Sequence, residues 1–121
     1  MSKTIMIVDD SLSMRQVLGK TLRDAGYQVT EAVDGRDAVE KLKARATDLL
    51  ITDLNMPNMD GIQLISAARA MPSLKATPII MLTTETDGTK KAAGRAAGAT
   101  AWVVKPFQPE QLLGAIRKVM R

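Results

Sequence analysis

The sequence contains no cysteine and no histidine, and only three of its 121 residues are aromatic. The lack of cysteine excludes disulfides and thiolate metal sites, and the lack of histidine removes the commonest general base and metal ligand. Tyr27, Trp102 and Phe107 are too few to build a platform on which nucleic-acid bases stack. Chemistry in this chain must therefore use carboxylates, hydroxyls and lysines, or groups that a partner supplies.

Long apolar runs are also absent. No run approaches the roughly 18 residues of a membrane span, and the first three residues lead directly into a short apolar stretch without a signal-peptide core. We therefore expect a cytoplasmic protein that does not associate with membranes. Its length fits one domain, residues 1–121, because domains usually have about 100–200 residues.

Charge is unevenly distributed along the chain, whose formal net charge is +4. Residues 1–60 carry eight basic and ten acidic side chains, whereas residues 61–121 carry nine basic and three acidic ones. The ordinary interpretation of the basic excess in the second half is that these side chains lie on helix faces exposed to solvent. If it binds a partner, the scarcity of aromatic residues favours an acidic protein over nucleic acid.

Five short strand-like runs alternate with segments of helical periodicity, which predicts a doubly wound α/β fold. Four of the runs are continuously apolar, which indicates a parallel sheet buried on both faces, whereas the second is polar. The predicted strands cover residues 4–8, 27–32, 49–52, 78–82 and 101–104, and the predicted helices cover residues 12–25, 36–45, 61–71, 89–97 and 109–120.

Polar or charged side chains follow four of the five strands, at the sheet edge where open α/β folds bind ligands. Asp9 and Asp10 follow the first strand, Asp53 the third, Thr83 the fourth and Lys105 the fifth. Each has an ordinary interpretation when taken alone. The aspartates and Thr83 could cap helices or turns, and Lys105 could be a surface lysine whose stem covers apolar neighbours.

As a set, these residues predict a phosphoryl-transfer site. If the first and third strands are neighbours, three carboxylates converge, and two unit charges about 4 Å apart repel by about 4 kcal/mol at an effective dielectric of about 20. A hard divalent cation resolves this repulsion, and oxygen ligands suit Mg²⁺. Thr83 and Lys105 would then contact the phosphoryl oxygens, and Asp53 would be the nucleophile.

The sequence resembles a response-regulator receiver domain over its whole length, and within that family the stand-alone, CheY-like chemotaxis proteins. The resemblance is carried by Asp9-Asp10, by Asp53 within the segment DLNMPNMDG at 53–61, by Thr83 and by Lys105-Pro106-Phe107. It implies a flavodoxin-like fold with five helices around a parallel sheet of strand order 2-1-3-4-5. It also implies a cis bond between Lys105 and Pro106.

The resemblance implies a phosphoacceptor rather than an enzyme with a separate substrate. A sensor histidine kinase would supply the phosphoryl group from its phosphohistidine, and Asp53 would accept it and later lose it by autocatalytic hydrolysis. Thr83 and Lys105 would grip the phosphoryl oxygens. The absence of histidine from this chain agrees with a donor on another protein.

A ligand set for Mg²⁺ also follows from the resemblance. The side chains of Asp10 and Asp53 and the backbone carbonyl of Asn55 would bind the ion, with Asp9 helping through water. Asn55 and Glu85 would line the approach of the hydrolytic water and so help to set the lifetime of the phosphate.

Two residues depart from the usual pattern of the family. Trp102 stands where Tyr, Phe or His is the usual switch residue, and its indole offers only a hydrogen-bond donor. Thr84 stands where a small residue, usually Ala, gives the phosphoryl group room, so we expect slower access to Asp53.

The expected output is a binding event, because five strand–helix units account for the chain and no effector domain is expected. We expect a monomer in which Thr83 and Trp102 switch the surface around the fourth helix, fifth strand and fifth helix. The partner would be the flagellar motor switch, unless the chain acts as a phosphate sink that drains the kinase. The predicted partner surface comprises Lys90, Lys91, Arg95, Trp102, Arg117 and Lys118.

A small Mg²⁺-dependent phosphohydrolase of the haloacid-dehalogenase type is the alternative, since it also uses a strand-end aspartate, a threonine and a lysine. That class needs a second aspartate two residues after the nucleophile, where this chain has Asn55. It also usually has a cap domain, for which this chain is too short. A flavin-binding module of similar fold is disfavoured because the acidic first loop would repel the flavin phosphate.

Overall fold

Five parallel strands form one sheet, in the order second, first, third, fourth, fifth, in the computed structural model, which describes residues 2–120. The strands are β1 (Thr4–Val8), β2 (Gln28–Ala32), β3 (Leu49–Thr52), β4 (Ile79–Thr83) and β5 (Ala101–Val104). The helices are α1 (Leu12–Asp24), α2 (Gly35–Ala44), α3 (Gly61–Arg69), α4 (Gly88–Ala97) and α5 (Pro109–Val119). The predicted flavodoxin-like, doubly wound fold and its strand order are confirmed.

Consecutive residues of the central strands point to opposite faces of the sheet and build two core layers. On one face, Met6 and Leu50 pack with apolar residues of α2 and α3. On the other, Ile7 and Ile51 pack with apolar residues of α1 and α5. Burial on both faces explains why these strands are continuously apolar rather than alternating.

The polar second strand lies at an edge of the sheet. β2 pairs only with β1 within the described residues, and its residues alternate between exposed and partly buried before the fully buried Ala32. One face and one edge of this strand therefore contact water, which is why its sequence shows the weakest strand signal.

Several element boundaries differ from the predicted ones. α2 begins at Gly35, one residue before the predicted start, because Asp34 is its N-cap. α3 ends at Arg69, and Met71 is extended because it precedes Pro72, which disfavours helical backbone. A short 3-10 turn, Pro72–Leu74, follows and was not predicted. β4 runs one residue further than predicted, because Thr83 still pairs with Val104.

The helix ends explain how the loops at the carboxyl edge of the sheet are fixed. The Ser11 hydroxyl accepts a hydrogen bond from the Met14 amide and caps α1. Asp60 and Gln63 form a reciprocal capping box on α3, and Asp87 caps α4. None of the helices in residues 2–120 combines the length and apolarity needed to cross a membrane.

Candidate functional site

Three carboxylates meet at the carboxyl edge of the sheet. The pairing of β1 with β3 joins Val8 to Thr52, so that Asp9, Asp10 and Asp53 follow the ends of adjacent strands. One oxygen from each of the three carboxylates lies within 4.8 Å of the others. Asp9 is buried, Asp53 is partly buried and Asp10 is exposed. The structure thus brings together the acidic residues whose convergence the sequence predicts.

Lys105 joins this acidic cluster from the end of β5. Its Nζ donates hydrogen bonds to Asp9 Oδ2 at 2.6 Å and to Asp53 Oδ2 at 3.0 Å, and its side chain is only 11 % exposed. Burial by itself lowers the pKa of Lys105, but the hydrogen bonds and charges of the two carboxylates outweigh burial and raise that pKa above its ordinary value. Lys105 is therefore a charged part of the cluster rather than a surface lysine.

The ordinary interpretations of the strand-end residues as helix caps do not fit the structure. Ser11 caps α1, while Asp9 Oδ1 accepts the Ser11 amide at 2.9 Å and leaves its other oxygen for Lys105. Asp53 Oδ1 accepts the amide of the next residue, Leu54, at 2.7 Å, and its second oxygen faces Lys105. Both carboxylates are thereby oriented at a shared point.

Thr83 ends β4, the neighbour of β3, and is fully buried. Its hydroxyl accepts a hydrogen bond from the Glu85 amide at 3.3 Å, and the Glu85 carbonyl accepts one from Trp102 Nε1 at 3.0 Å. The backbone of Glu85 therefore links Thr83 to the indole. The Glu85 side chain accepts the Asp87 amide, and Thr84 is exposed.

The donor set fits a hard divalent cation. Three carboxylate groups lie within reach of one another, and Asn55 is exposed on the loop that follows Asp53. Oxygen ligands of this kind suit Mg²⁺, which keeps several water molecules and so leaves coordination positions for phosphoryl oxygens. Asp9, Asp10 and Asp53 are therefore available to hold the ion, and Asn55 lies two residues beyond Asp53 on the same loop.

Sequence reasoning missed an arginine behind the acidic cluster. Arg15 donates to the backbone carbonyl of Asp9 at 2.6 Å and to the Glu31 carboxylate at 3.2 Å, and it is 9 % exposed. It fixes the end of β1 and brings a positive charge close to the aspartates. Its place on α1 carries no signal for this role, because the contact depends on how α1 crosses the sheet.

The structure brings together only some of the residues of the predicted partner surface. Lys91, Arg95 and Trp102 line one cleft of about 30 Å³ between α4 and β5. Lys90 is exposed on the same helix, and Arg117 and Lys118 are exposed in the last turn of α5. Basic side chains of α4 therefore lie beside Trp102 in this cleft.

Three comparisons with known proteins agree with this geometry. Residues 5–117 match the model of the response regulator receiver domain. The chain is 42% identical over 118 residues to chemotaxis protein CheY1 of Helicobacter pylori, covering 96% of this chain and 95% of that one. It is 35% identical to protein PilG of Pseudomonas aeruginosa, covering 93% and 84%. The structure of chemotaxis protein CheY4 of Vibrio cholerae superimposes with a TM-score of 0.94 at 48% identity, covering 98% and 99%.

Proposed function

The chain belongs to the response-regulator receiver family, and we propose on this basis that it is a phosphoacceptor switched by a sensor histidine kinase at Asp53. The observation that carries the proposal is the bridge of Lys105 Nζ between Asp9 and Asp53 at the edge where three carboxylates meet. Membership of this family leaves the phosphohydrolase alternative without support. We further propose that residues 1–121 form one receiver domain, which acts as a monomer in the cytoplasm.

The proposed transfer needs only one covalent exchange. An Asp53 carboxylate oxygen attacks the phosphorus of the kinase phosphohistidine, an O–P bond forms and the N–P bond breaks. The imidazole leaves with the electron pair of that bond and takes a proton from solvent. Hydrolysis by water later returns the free carboxylate and inorganic phosphate.

The chain's own residues supply positioning and charge for this exchange. Lys105, whose pKa is raised by the two aspartates, stays protonated at neutral pH and faces the acceptor carboxylate. Thr83, at the end of the neighbouring strand, offers its hydroxyl to a phosphoryl oxygen. Bound Mg²⁺, held by Asp10, Asp53 and Asn55 with Asp9 nearby, would neutralise charge on the phosphoryl oxygens.

The proposed output is partner binding at the basic surface beside Trp102. In the proposed switch Thr83 moves toward the phosphoryl group to donate its hydroxyl proton, and this movement breaks the hydrogen bond that the hydroxyl accepts from the Glu85 amide. The Glu85 carbonyl that holds Trp102 then changes position with the rest of that residue. Lys91 and Arg95 beside the indole favour an acidic partner segment. The similarity to proteins named as chemotaxis proteins supports a flagellar motor switch as that partner, with a phosphate sink as the variant.

Intact-mass measurement after incubation with a small phosphodonor, with and without Mg²⁺, tests the acceptor. We expect a single phosphoryl addition that requires Mg²⁺ and is lost in Asp53→Asn. Asp24→Asn is the matched control, because Asp24 is exposed on α1 and its ion pair within residues 2–120 is with Lys20. An addition of unchanged yield in Asp53→Asn would overturn the assignment.

A further inference from the structure

The loop 53–61, which we call the acceptor loop, is fastened to the first turn of α2. Asn58 Nδ2 donates a hydrogen bond to Asp34 Oδ2 at 2.8 Å. The other oxygen of Asp34 accepts the Asp37 amide at 2.9 Å, so that one buried carboxylate caps α2 and holds the loop. Neither Asn58 nor Asp34 belongs to the strand-end residues that surround Asp53.

One close backbone contact supports this attachment to α2, and a second closes the loop at its base. A Cβ added at Gly35 would lie 2.7 Å from the carbonyl oxygen of Met59, so the start of α2 presses directly on the loop. A Cβ at Gly61 would collide with the carbonyl oxygen of Asp53, and the Gly61 amide donates to the Leu54 carbonyl at 2.8 Å. The loop is thus closed at its base and held against α2 near its tip.

Asn58 also has an unusual backbone. Its φ is +70°, and it is the only non-glycine residue with positive φ in residues 2–120. Asparagine tolerates this left-handed conformation better than most residues, yet it carries a cost that the surroundings must offset. The backbone amide of Asp37 and then the side chain of Asn58 lower the pKa of Asp34, so its carboxylate is ionised and accepts both hydrogen bonds at neutral pH.

We propose that Asn58 is a positioning residue whose hydrogen bond to Asp34 sets the position of Asn55, and through it the affinity for Mg²⁺ and the phosphate lifetime. Pro57, with its fixed φ, and a 2.7 Å hydrogen bond from the Met59 amide to the Pro57 carbonyl stiffen the short path between Asn58 and Asn55. The inference rests on the proposed function, because Asn55 matters only where the site binds Mg²⁺ and phosphate.

Three variants and a rescue test this role. Asn58→Asp places a carboxylate against Asp34 and breaks the bond, and Asn58→Gly breaks it while keeping the left-handed backbone accessible. The double variant Asp34→Asn with Asn58→Asp reverses donor and acceptor, restores the bond and keeps the net charge and the N-cap. Asp34→Asn alone is the control, because the Asn58 amide can rotate to present its oxygen.

Calorimetry with Mg²⁺ on the unphosphorylated protein, well below its melting temperature, is the first readout, and the half-life of phospho-Asp53 is the second. We expect Asn58→Asp and Asn58→Gly to weaken Mg²⁺ binding by about tenfold, the lower end for partners that orient ligands, and to change the half-life. The double variant should return both values to those of the wild type. Added negative charge alone would instead tighten Mg²⁺ binding in Asn58→Asp.

Unchanged Mg²⁺ affinity in both Asn58 variants, tighter binding in Asn58→Asp, or a folded double variant without rescue would each overturn the inference. A fall in melting temperature with no change in affinity would also overturn it, since that is the result of a purely structural contact. A wild type that binds Mg²⁺ and accepts the phosphoryl group keeps the proposed function standing in these cases. A wild type that does neither would overturn both.

Discussion

The Trp102 indole donates a hydrogen bond of 3.0 Å to the backbone carbonyl of Glu85. The amide of Glu85 donates to the Thr83 hydroxyl, so this one residue contacts both ends of the predicted switch. An indole can only donate, and a carbonyl can only accept, so tryptophan satisfies this contact as fully as a hydroxyl would. The departure from the family pattern at position 102 is therefore compatible with a hydrogen-bonded switch.

Tryptophan emission should report the state of the acceptor. Trp102 is the only tryptophan in the chain, so its emission is unambiguous. We expect beryllofluoride with Mg²⁺ to shift the emission of the wild type but not of Thr83→Ala, because alanine has no hydroxyl that could move to a phosphoryl oxygen and release the Glu85 amide. Thr84→Ala, at the exposed neighbour, should keep the shift. Equal shifts in wild type and Thr83→Ala would contradict the coupling.

Gly94 provides the space for the indole on α4. A Cβ added there would lie 2.8 Å from Cζ3 of Trp102, whereas the nearest described atom to a Cβ added at Gly114 on α5 is at the end of Arg117, 3.9 Å away. Alanine is favoured over glycine inside a helix by about 1 kcal/mol. We expect Gly114→Ala to gain up to that amount without changing the emission. Gly94→Ala should gain less and shift the emission without any phosphoryl mimic.

Chemical denaturation and fluorescence spectra of the two variants provide the comparison. Identical behaviour of Gly94→Ala and Gly114→Ala would show that the indole has room to move freely at no cost. Gly94 would then have no role in the switch.

The sequence was sufficient to predict the residues at the strand ends because two simple constraints act on them. Burial on both faces makes strands such as β3 and β4 continuously apolar, so their ends are visible in the sequence. The ends of parallel strands must then meet at one edge. Asp53 and Thr83 follow such strands and could be grouped from the sequence alone. Lys105 follows β5, an edge strand whose apolar run also ends visibly in the sequence although Val104 is exposed.

Contacts made by loops and long side chains could not be predicted in this way. In the sequence, Arg69 looks like an ordinary basic residue in the last turn of a helix. In the structure it donates hydrogen bonds to the carbonyls of Leu74, Thr77 and Gly98 and so joins three segments. Burial lowers its pKa. The bond between Asp34 and Asn58 likewise depends on how α2 meets the acceptor loop. Periodicity gives no information on such distances.

Asp10 should matter for Mg²⁺ and little for the fold. It is exposed, and no hydrogen bond or ion pair to its carboxylate occurs within residues 2–120, although it lies within reach of Asp9 and Asp53. We expect Asp10→Ala to be at least as stable as the wild type without metal, because repulsion is relieved. Mg²⁺ at 100 times its dissociation constant should add about 2.7 kcal/mol to the wild type and much less to the variant.

Thermal melts with Mg²⁺ and with a chelator separate the contribution of Asp10 to Mg²⁺ binding from its effect on the stability of the metal-free fold. Equal Mg²⁺ shifts in Asp10→Ala and the wild type would show that Asp10 is not a ligand. A large loss of stability in the chelated variant would show that Asp10 has a structural role instead.

Lys105 should stabilise the protein when metal is absent. Its Nζ is the cation bonded to Asp9 and Asp53, both of which are largely buried. Lys105→Met keeps the apolar stem but leaves two adjacent carboxylates without that partner, and loss of one partner of a buried pair costs about 3 kcal/mol. We therefore expect a clear loss of stability in chelator, with Mg²⁺ restoring more stability to the variant than to the wild type.

The pH dependence of the stability difference between wild type and Lys105→Met follows from the raised pKa of Lys105. A lysine whose pKa is higher in the folded state than its ordinary value of 10.5 contributes stability that is fully present below that value. The contribution is lost only as the pH rises through the higher, folded-state pKa. In chelator, the stability gap between wild type and Lys105→Met should therefore stay level from neutral to mildly alkaline pH and close at more alkaline pH. A gap that already closes near neutral pH would show that Lys105 is not held by the aspartates as a charged group.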